Sequence, residues 1–234
     1  MITGTILQML NEADINALFI TLKLAAISTL ILLLLGIPFA WWLARSRWRL
    51  KFIFEALVAL PLVLPPTVLG FYLLIILGPN GPLGQLTHFF GGTTLAFSFT
   101  GLVIGSVIYS MPFVVQPLQN AFNSIGQLPL EAAATLRASP IDRFFTIALP
   151  LARSGLLSAM VLGFAHTIGE FGVVLMIGGS IPGETKVLSI AIYEHVESLE
   201  YAKAHILAGG LLILSFLLLV LVYAFNHRLR VFGN

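Results

Sequence analysis

Cysteine is absent from the 234 residues. No disulfide, cysteine nucleophile or thiolate metal site is therefore available. Charge is nearly as scarce. Asp, Glu, Lys and Arg make up 9% of the chain against 58% hydrophobic residues, where a soluble domain carries about 25% charged residues. This is the composition of a polytopic membrane protein. No G-x-x-x-x-G-K-[ST] occurs, so ATP has no P-loop to bind. No Ser/His/Asp arrangement suited to nucleophilic catalysis is identifiable, and no loop gathers the carboxylates that would hold Mg²⁺ and a phosphate. The basic residues are spread as loop anchors rather than gathered into a nucleic-acid patch. No convincing repeat or inverted half of the secondary-transporter kind is visible. A cleaved leader starts basic and has a short apolar core. Here Glu12 and Asp14 precede a long apolar run, which is expected to stay as a membrane segment.

What is present is apolar length. Five segments clear the roughly 20 residues a spanning helix needs: about 16–44, 54–78, 95–120, 152–177 and 204–226. The expectation is an all-α, polytopic membrane protein with one transmembrane domain over 1–234, its core at 16–226. The cations orient it. Arg45, Arg47, Arg49 and Lys51 follow the first span, Arg137, Arg143 and Arg153 precede the fourth, and Arg228 and Arg230 sit in the tail. The other side has only Lys186 and Lys203. The N-terminus is thus expected outside, with the C-terminus and the loop 128–150 in the cytoplasm. Trp41, Trp42 and Trp48 read as an aromatic anchor at the inner surface.

The loop carries the most information. Ala132 to Ala134 and Leu136 favour helix. Ser139-Pro140 then ends one helix and starts another, with Ser as N-cap and Pro at the first helical position. Asp142 falls in the new first turn, where the helix dipole favours an anion, and Pro150 marks a further break. Glu131-Ala132-Ala133 followed by Ile147-x-Leu149-Pro150 resembles the signature loop of the permease subunits of ABC importers. That resemblance implies a pair of coupling helices docked on a cytoplasmic ATPase, with Glu131, Ala132, Ala133, Arg137, Ser139, Pro140, Ile147, Leu149 and Pro150 as the contact set. One position departs: Arg137 stands where the family usually has Gly. A Gly there would serve a left-handed C-cap, which Arg tolerates poorly.

A narrower resemblance, to the molybdate-type branch, rests on Leu60-Pro-Leu-Val-Leu-Pro-Pro66, Leu95-Ala-Phe-Ser98, Gly169-Glu-Phe-Gly172 and Ile181-Pro-Gly-Glu-Thr185. Gly-Glu-Phe-Gly is shared with sulfate permeases, so a sulfate or thiosulfate importer is the alternative. The resemblance implies a homodimer on two ATPase subunits that bind the ATP and Mg. It also implies a periplasmic or lipid-anchored oxyanion-binding protein, a bacterial or archaeal cytoplasmic membrane, and no cofactor in this chain.

Elsewhere the residues offer less. Pro61, Pro65 and Pro66 break the second span, and such backbone is tolerated only against protein or a water-filled cavity. Pro65 and Pro66 are pathway candidates on that ground, as are Ser106, Ser110 and Glu170. Ser98, Ser106 and Ser110 share a helix face beside Gly101 and Gly105, and Gly155, Ala159 and Gly163 form a second small-residue stripe; close helix packing is the expected role of both. Lys23 is expected to snorkel outward. Lys51 and Glu55 read as a surface pair. His166 and Glu170, at i and i+4, are too few to hold zinc and are expected to satisfy each other near the outer end. Residues 78–94 read as irregular turns, and 187–201 as a short amphipathic helix at the outer surface. Two rivals from other classes remain: a membrane enzyme using His166 and Glu170, and a proton-coupled carrier relaying through Lys23, His166 and Glu170.

Overall fold

The computed structural model describes residues 11–231, with side chains to residue 224; the tail cations Arg228 and Arg230 lie outside the described side chains. The described residues form helices and turns only. The first helix, α1 (Glu12–Arg45), opens with a capping box in which the Asn11 side chain accepts from the Asp14 N–H and Asp14 returns the bond. At 1.5 Å per residue it is long enough to cross a bilayer. The second expected span is not one helix. It splits at Leu64 and Pro65 into α2 (Lys51–Val63) and α3 (Pro66–Leu77). Pro65 and Pro66 have no N–H to continue the ladder, and α3 starts afresh with Pro66 in its first turn.

The 78–94 loop is more ordered than expected. Pro82 starts a two-turn helix, α4 (Pro82–Phe89). Gly84 lets its backbone press on the Gly78 carbonyl, which a Cβ would meet at 1.9 Å. Next comes α5 (Phe99–Ser124), capped by the Ser98 side chain, which accepts from the Gly101 N–H at 3.1 Å. Ser98 therefore caps the helix instead of sharing a face with Ser106 and Ser110.

The loop then runs through α6 (Leu128–Thr135), α7 (Pro140–Arg143), a π turn at Phe144–Ala148 and a last turn, α8 (Leu149–Leu151). The chain bends by 72° into α9 (Arg153–Ile168). The bend falls at Ala152, two residues after Pro150. The fourth expected span is also broken: α9 stops at Ile168, residues 169–171 are unwound, and α10 (Gly172–Gly178) follows. Two last helices, α11 (Leu188–Glu197) and α12 (Tyr201–Val231), complete the chain. Four helical stretches are long and apolar enough to cross a membrane, Glu12–Arg45, Pro66–Phe89, Phe99–Ser124 and Tyr201–Ala224, and the bent pair through Arg153–Ile168 makes a fifth.

Helix α5 is the centre. It packs on α1, α2, α3, α9 and α10, and 56% of its most apolar stretch is buried, against 11% for α12. The α12 surface is left for lipid or another chain. Small residues make the close approaches, as expected of both stripes. A Cβ on Gly155 would lie 2.2 Å from the Ala121 Cβ, and one on Gly163 2.5 Å from Val114. Gly105 is held as closely by Ile177. These contacts bring α9 and α10 onto α5 through dispersion rather than through a hydrophobic drive, which lipid does not supply.

The two ends of the bundle are polar. At the end carrying the cation-rich loops, the Arg45 Nη2 donates to the carbonyls of Phe122 (3.3 Å) and Gly126 (2.8 Å), joining α1 to the start of the loop. Trp42 and Trp48 are exposed there, whereas Trp41 turns inward against Phe122 and Phe144. Lys51 is 3.8 Å from Glu55, but the shorter bond to Glu55 comes from Gln119 at 2.7 Å, tying α2 to α5.

At the opposite end, His195 is buried between Asp14 (2.8 Å) and Glu200 (2.9 Å), and Lys203 also reaches Glu200 at 2.9 Å. These bonds fasten α11 to the starts of α1 and α12. The polar residues of the amphipathic helix thus work inside the protein as well as at its surface. Lys23 lies over the Phe99 ring, 4.5 Å from its centroid.

The 181–186 turn is pinned on α11 through Glu194, which accepts from Lys186 and Ser180. Burial pushes the Glu194 carboxyl up, but those two hydrogen bonds, together with the Lys186 and His195 charges, outweigh it and leave the group below its ordinary range. A carboxyl lowered on folding stabilises above its unfolded pKa, about 4.3, and loses that contribution as pH falls through the folded value. We expect the 181–186 turn to loosen in acid below about pH 4. Amide hydrogen exchange across the turn would show protection falling there, and Glu194→Gln would remove the pH step. An unchanged step in the variant would assign the effect elsewhere.

Candidate functional site

Two places gather the residues singled out by sequence. The first is the loop from Leu128 to Pro150. Ser139 accepts from the Asp142 N–H at 3.1 Å, with Pro140 as the first helical residue, as the N-cap reading requires. The end of α6 is a Schellman turn. The Ala138 N–H reaches the Ala133 carbonyl at 3.1 Å and the Arg137 N–H the Ala134 carbonyl at 3.0 Å. Arg137 takes the left-handed conformation this turn needs, with φ 63°. The turn geometry is therefore the glycine one, held by a residue with a Cβ. Arg137→Gly should keep the loop and stabilise it by about 0.5–1 kcal/mol. Thermal unfolding of the purified chain measures this; a fall in stability would mean that the Arg137 side chain contributes more than its backbone costs.

Glu131, Ala132, Arg137, Ser139, Pro140 and Pro150 are exposed, while Ala133, Ile147 and Leu149 are partly covered. Around them sit apolar side chains outside the expected contact set: Leu128 is 81% exposed, Leu136 83% and Ile141 71%. Leucines this exposed beside polar residues form an apolar patch of the kind that partners cover. The Arg143 Nη1 donates to the Leu130 carbonyl at 3.4 Å, holding α7 against α6.

The second place is the unwound segment between α9 and α10. Glu170 is 3% exposed and lies beside the first half of α5. Ser106 donates to its Oε2 at 2.5 Å and Ser110 to its Oε1 at 2.6 Å. Both serines are fully buried. The direct His166–Glu170 contact is 3.5 Å, too long for a good hydrogen bond. Ser110 mediates instead, 2.8 Å from the His166 Nδ1. The freed backbone is satisfied in part by Ser189, whose hydroxyl donates to the Glu170 carbonyl at 2.5 Å, as membrane-depth irregularity demands. Gly172 lets this segment meet the break at the start of α3: a Cβ there would lie 2.9 Å from the Pro66 Cβ.

Between the two breaks is a cavity of about 550 Å³, lined by Pro66, Thr67, Tyr109, His166, Glu170 and Phe171 among others. Of the pathway candidates, Pro66 and Glu170 line it. Pro65 sits at the α3 cap beside it, and Ser106 and Ser110 stand behind, bound to Glu170. Thr67, Tyr109 and His166 were not singled out for this role.

Residues 36–231 match the family described as the binding-protein-dependent transport system inner membrane component. The chain belongs to this family. It is 61% identical to the molybdenum transport system permease protein of Azotobacter vinelandii, over 92% of this chain and 95% of that one. A probable sulfate transport system permease protein of Zygnema circumcarinatum is 33% identical, over 96% of this chain and 78% of that one. Among solved structures, a bacterial alginate ABC transporter in complex with its alginate-loaded periplasmic protein superposes with TM-score 0.74 at 20% identity, covering 97% of this chain and 81% of that one. That likeness shows the fold.

Proposed function

We propose that this chain is the transmembrane permease subunit of an ATP-driven importer that passes molybdate, or the chemically similar tungstate, into the cytoplasm. The observation that carries the reading is the exposed helix–break–helix loop of a family permease whose sequence has no P-loop motif. The 61% identity to a molybdenum permease supports the substrate over sulfate, whose permease stands at 33%. Two copies pair to enclose the pathway, since one chain leaves its cavity open at Thr67 and Gly169. Two ATPase subunits, which bind the ATP and Mg, dock on the cytoplasmic loops. A periplasmic or lipid-anchored protein delivers the oxyanion from outside. The cationic end faces the cytoplasm, with the N-terminus outside, in the cytoplasmic membrane.

Closure of the ATPases moves the docked loop. The 72° bend after Leu151 passes that motion into α9 and so to the break at Glu170. The loop is thus a two-state lever biased by nucleotide. Pro65, Pro66 and Glu170 border the pathway, and Ser106 and Ser110 act on it through Glu170. Deleting the gene and measuring cellular molybdenum, tungsten and sulfur at low external supply tests the substrate. A selective fall in molybdenum or tungsten is the expected result. A fall in sulfur moves the chain to the sulfate branch.

A further inference from the structure

His166 has no part in the scheme above, yet its surroundings fix it closely. Its ring stacks on Phe113 with centroids 3.8 Å apart, and the Tyr109 ring lies at 4.8 Å. Its Nδ1 is 2.8 Å from the Ser110 hydroxyl. That hydroxyl has one hydrogen, and the carboxylate at 2.6 Å takes it. The neighbouring Thr167 spends its own hydrogen on the Gly163 carbonyl at 3.0 Å. The Ser110 oxygen can therefore only accept from the imidazole, so Nδ1 carries a proton. The other nitrogen, Nε2, makes no hydrogen bond among the described residues, and His166 lines the cavity between the two breaks.

With Nδ1–H committed to Ser110, Nε2 accepts in the neutral ring and donates once the ring takes a second proton. No Lys or Arg lines the cavity. The Glu170 side chain is 1% exposed, so a ligand there does not touch the carboxylate. The titratable groups that face His166 are Glu170 from the unwound segment and Tyr109 from α5. We propose that His166 is a transit site for the oxyanion, its Nε2 donating to a tetrahedral dianion as it passes, with Glu170 as the positioning residue acting through Ser110. The proton comes from cavity water and returns to it when the anion leaves, so no proton is carried across. A site with one switchable donor and no fixed cation binds weakly and releases, as a pathway requires.

This inference rests on the oxyanion-importer reading, and one experiment separates the two. The full complex, with its ATPase and binding protein, is placed in liposomes, and molybdate uptake per ATP hydrolysed is measured for wild type, His166→Phe and His166→Gln. Phe keeps the stacking and removes the donor; Gln keeps a donor. We expect His166→Phe to lower uptake per ATP about tenfold, and His166→Gln to retain most of it. Unchanged uptake per ATP in His166→Phe overturns the proposal. So does an equal loss in both variants, which assigns the ring to packing alone. If wild type itself takes up no molybdate, tungstate or sulfate, the functional reading fails first, and with it the ground for the site.

Discussion

Glu131→Lys is expected to cut oxyanion uptake by more than about tenfold while leaving the membrane bundle folded. Glu131 is exposed in the first turn of α6 and makes no hydrogen bond through its side chain among the described residues. Reversing its charge therefore removes no internal contact. The cost to the chain itself is the loss of a favourable interaction with the helix dipole, about 0.3–1 kcal/mol. The cost to a docked partner is larger, because a like-charge or unpaired contact at an interface is worth several kcal/mol. Leu128, Leu136 and Ile141 are exposed on the same loop, so on the proposed reading the ATPase should still bind, more weakly. The measurement is uptake, ATP hydrolysis and co-purification of the ATPase with the variant chain, with Glu131→Gln as the milder companion. Uptake and complex recovery both at wild-type level would remove Glu131 from the coupling surface.

The second large effect is on folding. Glu170→Ala should destabilise the chain by about 2–4 kcal/mol. The substitution strips the acceptor from Ser106 and Ser110, both fully buried. An orphaned buried donor costs roughly 1–3 kcal/mol, and a serine in a helix can recover part of that by turning to the carbonyl one turn back. The asymmetry of such networks gives a sharper version. Removing all three members together, as Ser106→Ala, Ser110→Ala and Glu170→Met, leaves only the Nδ1–H of the partly exposed His166 without its acceptor and should cost less than Glu170→Ala alone. Thermal unfolding in detergent compares the two. A triple variant less stable than the single one would mean that the carboxylate is held by contacts other than the two hydroxyls.

The loop was legible because it is a polar text in an apolar chain. Ser139-Pro140 announces its own N-cap, and the missing glycine at Arg137 drew attention to the one residue there that adopts a left-handed turn. The number of membrane segments was legible from hydropathy, and the small-residue stripes from their four-residue spacing. The breaks were half legible. Three prolines gave the first, at Pro65, whereas the second, at Gly169, had only glycines to mark it, and a glycine does not stop a helix in the way proline does.

Partners were not legible. Ser106 and Glu170 are 64 positions apart, and Asp14 and His195 are 181 apart. Periodicity places a side chain on a face but does not say which face it meets. In lipid that gap widens, because inward and outward positions are both apolar and the amphipathic signal that orients a soluble helix is lost. The helix at Pro82 has its start signal, Pro after Gly81, but the Gly/Pro density around it reads as turns.

The most direct test of the account is ATP-driven uptake of molybdate into liposomes holding this chain with its ATPase and binding protein, against sulfate at the same concentration. The account predicts uptake of molybdate that needs ATP, persists when the proton gradient is collapsed by an uncoupler, and is not matched by sulfate. Uptake that continues without ATP and stops with the uncoupler would make the chain a proton-coupled carrier and contradict the account at its centre.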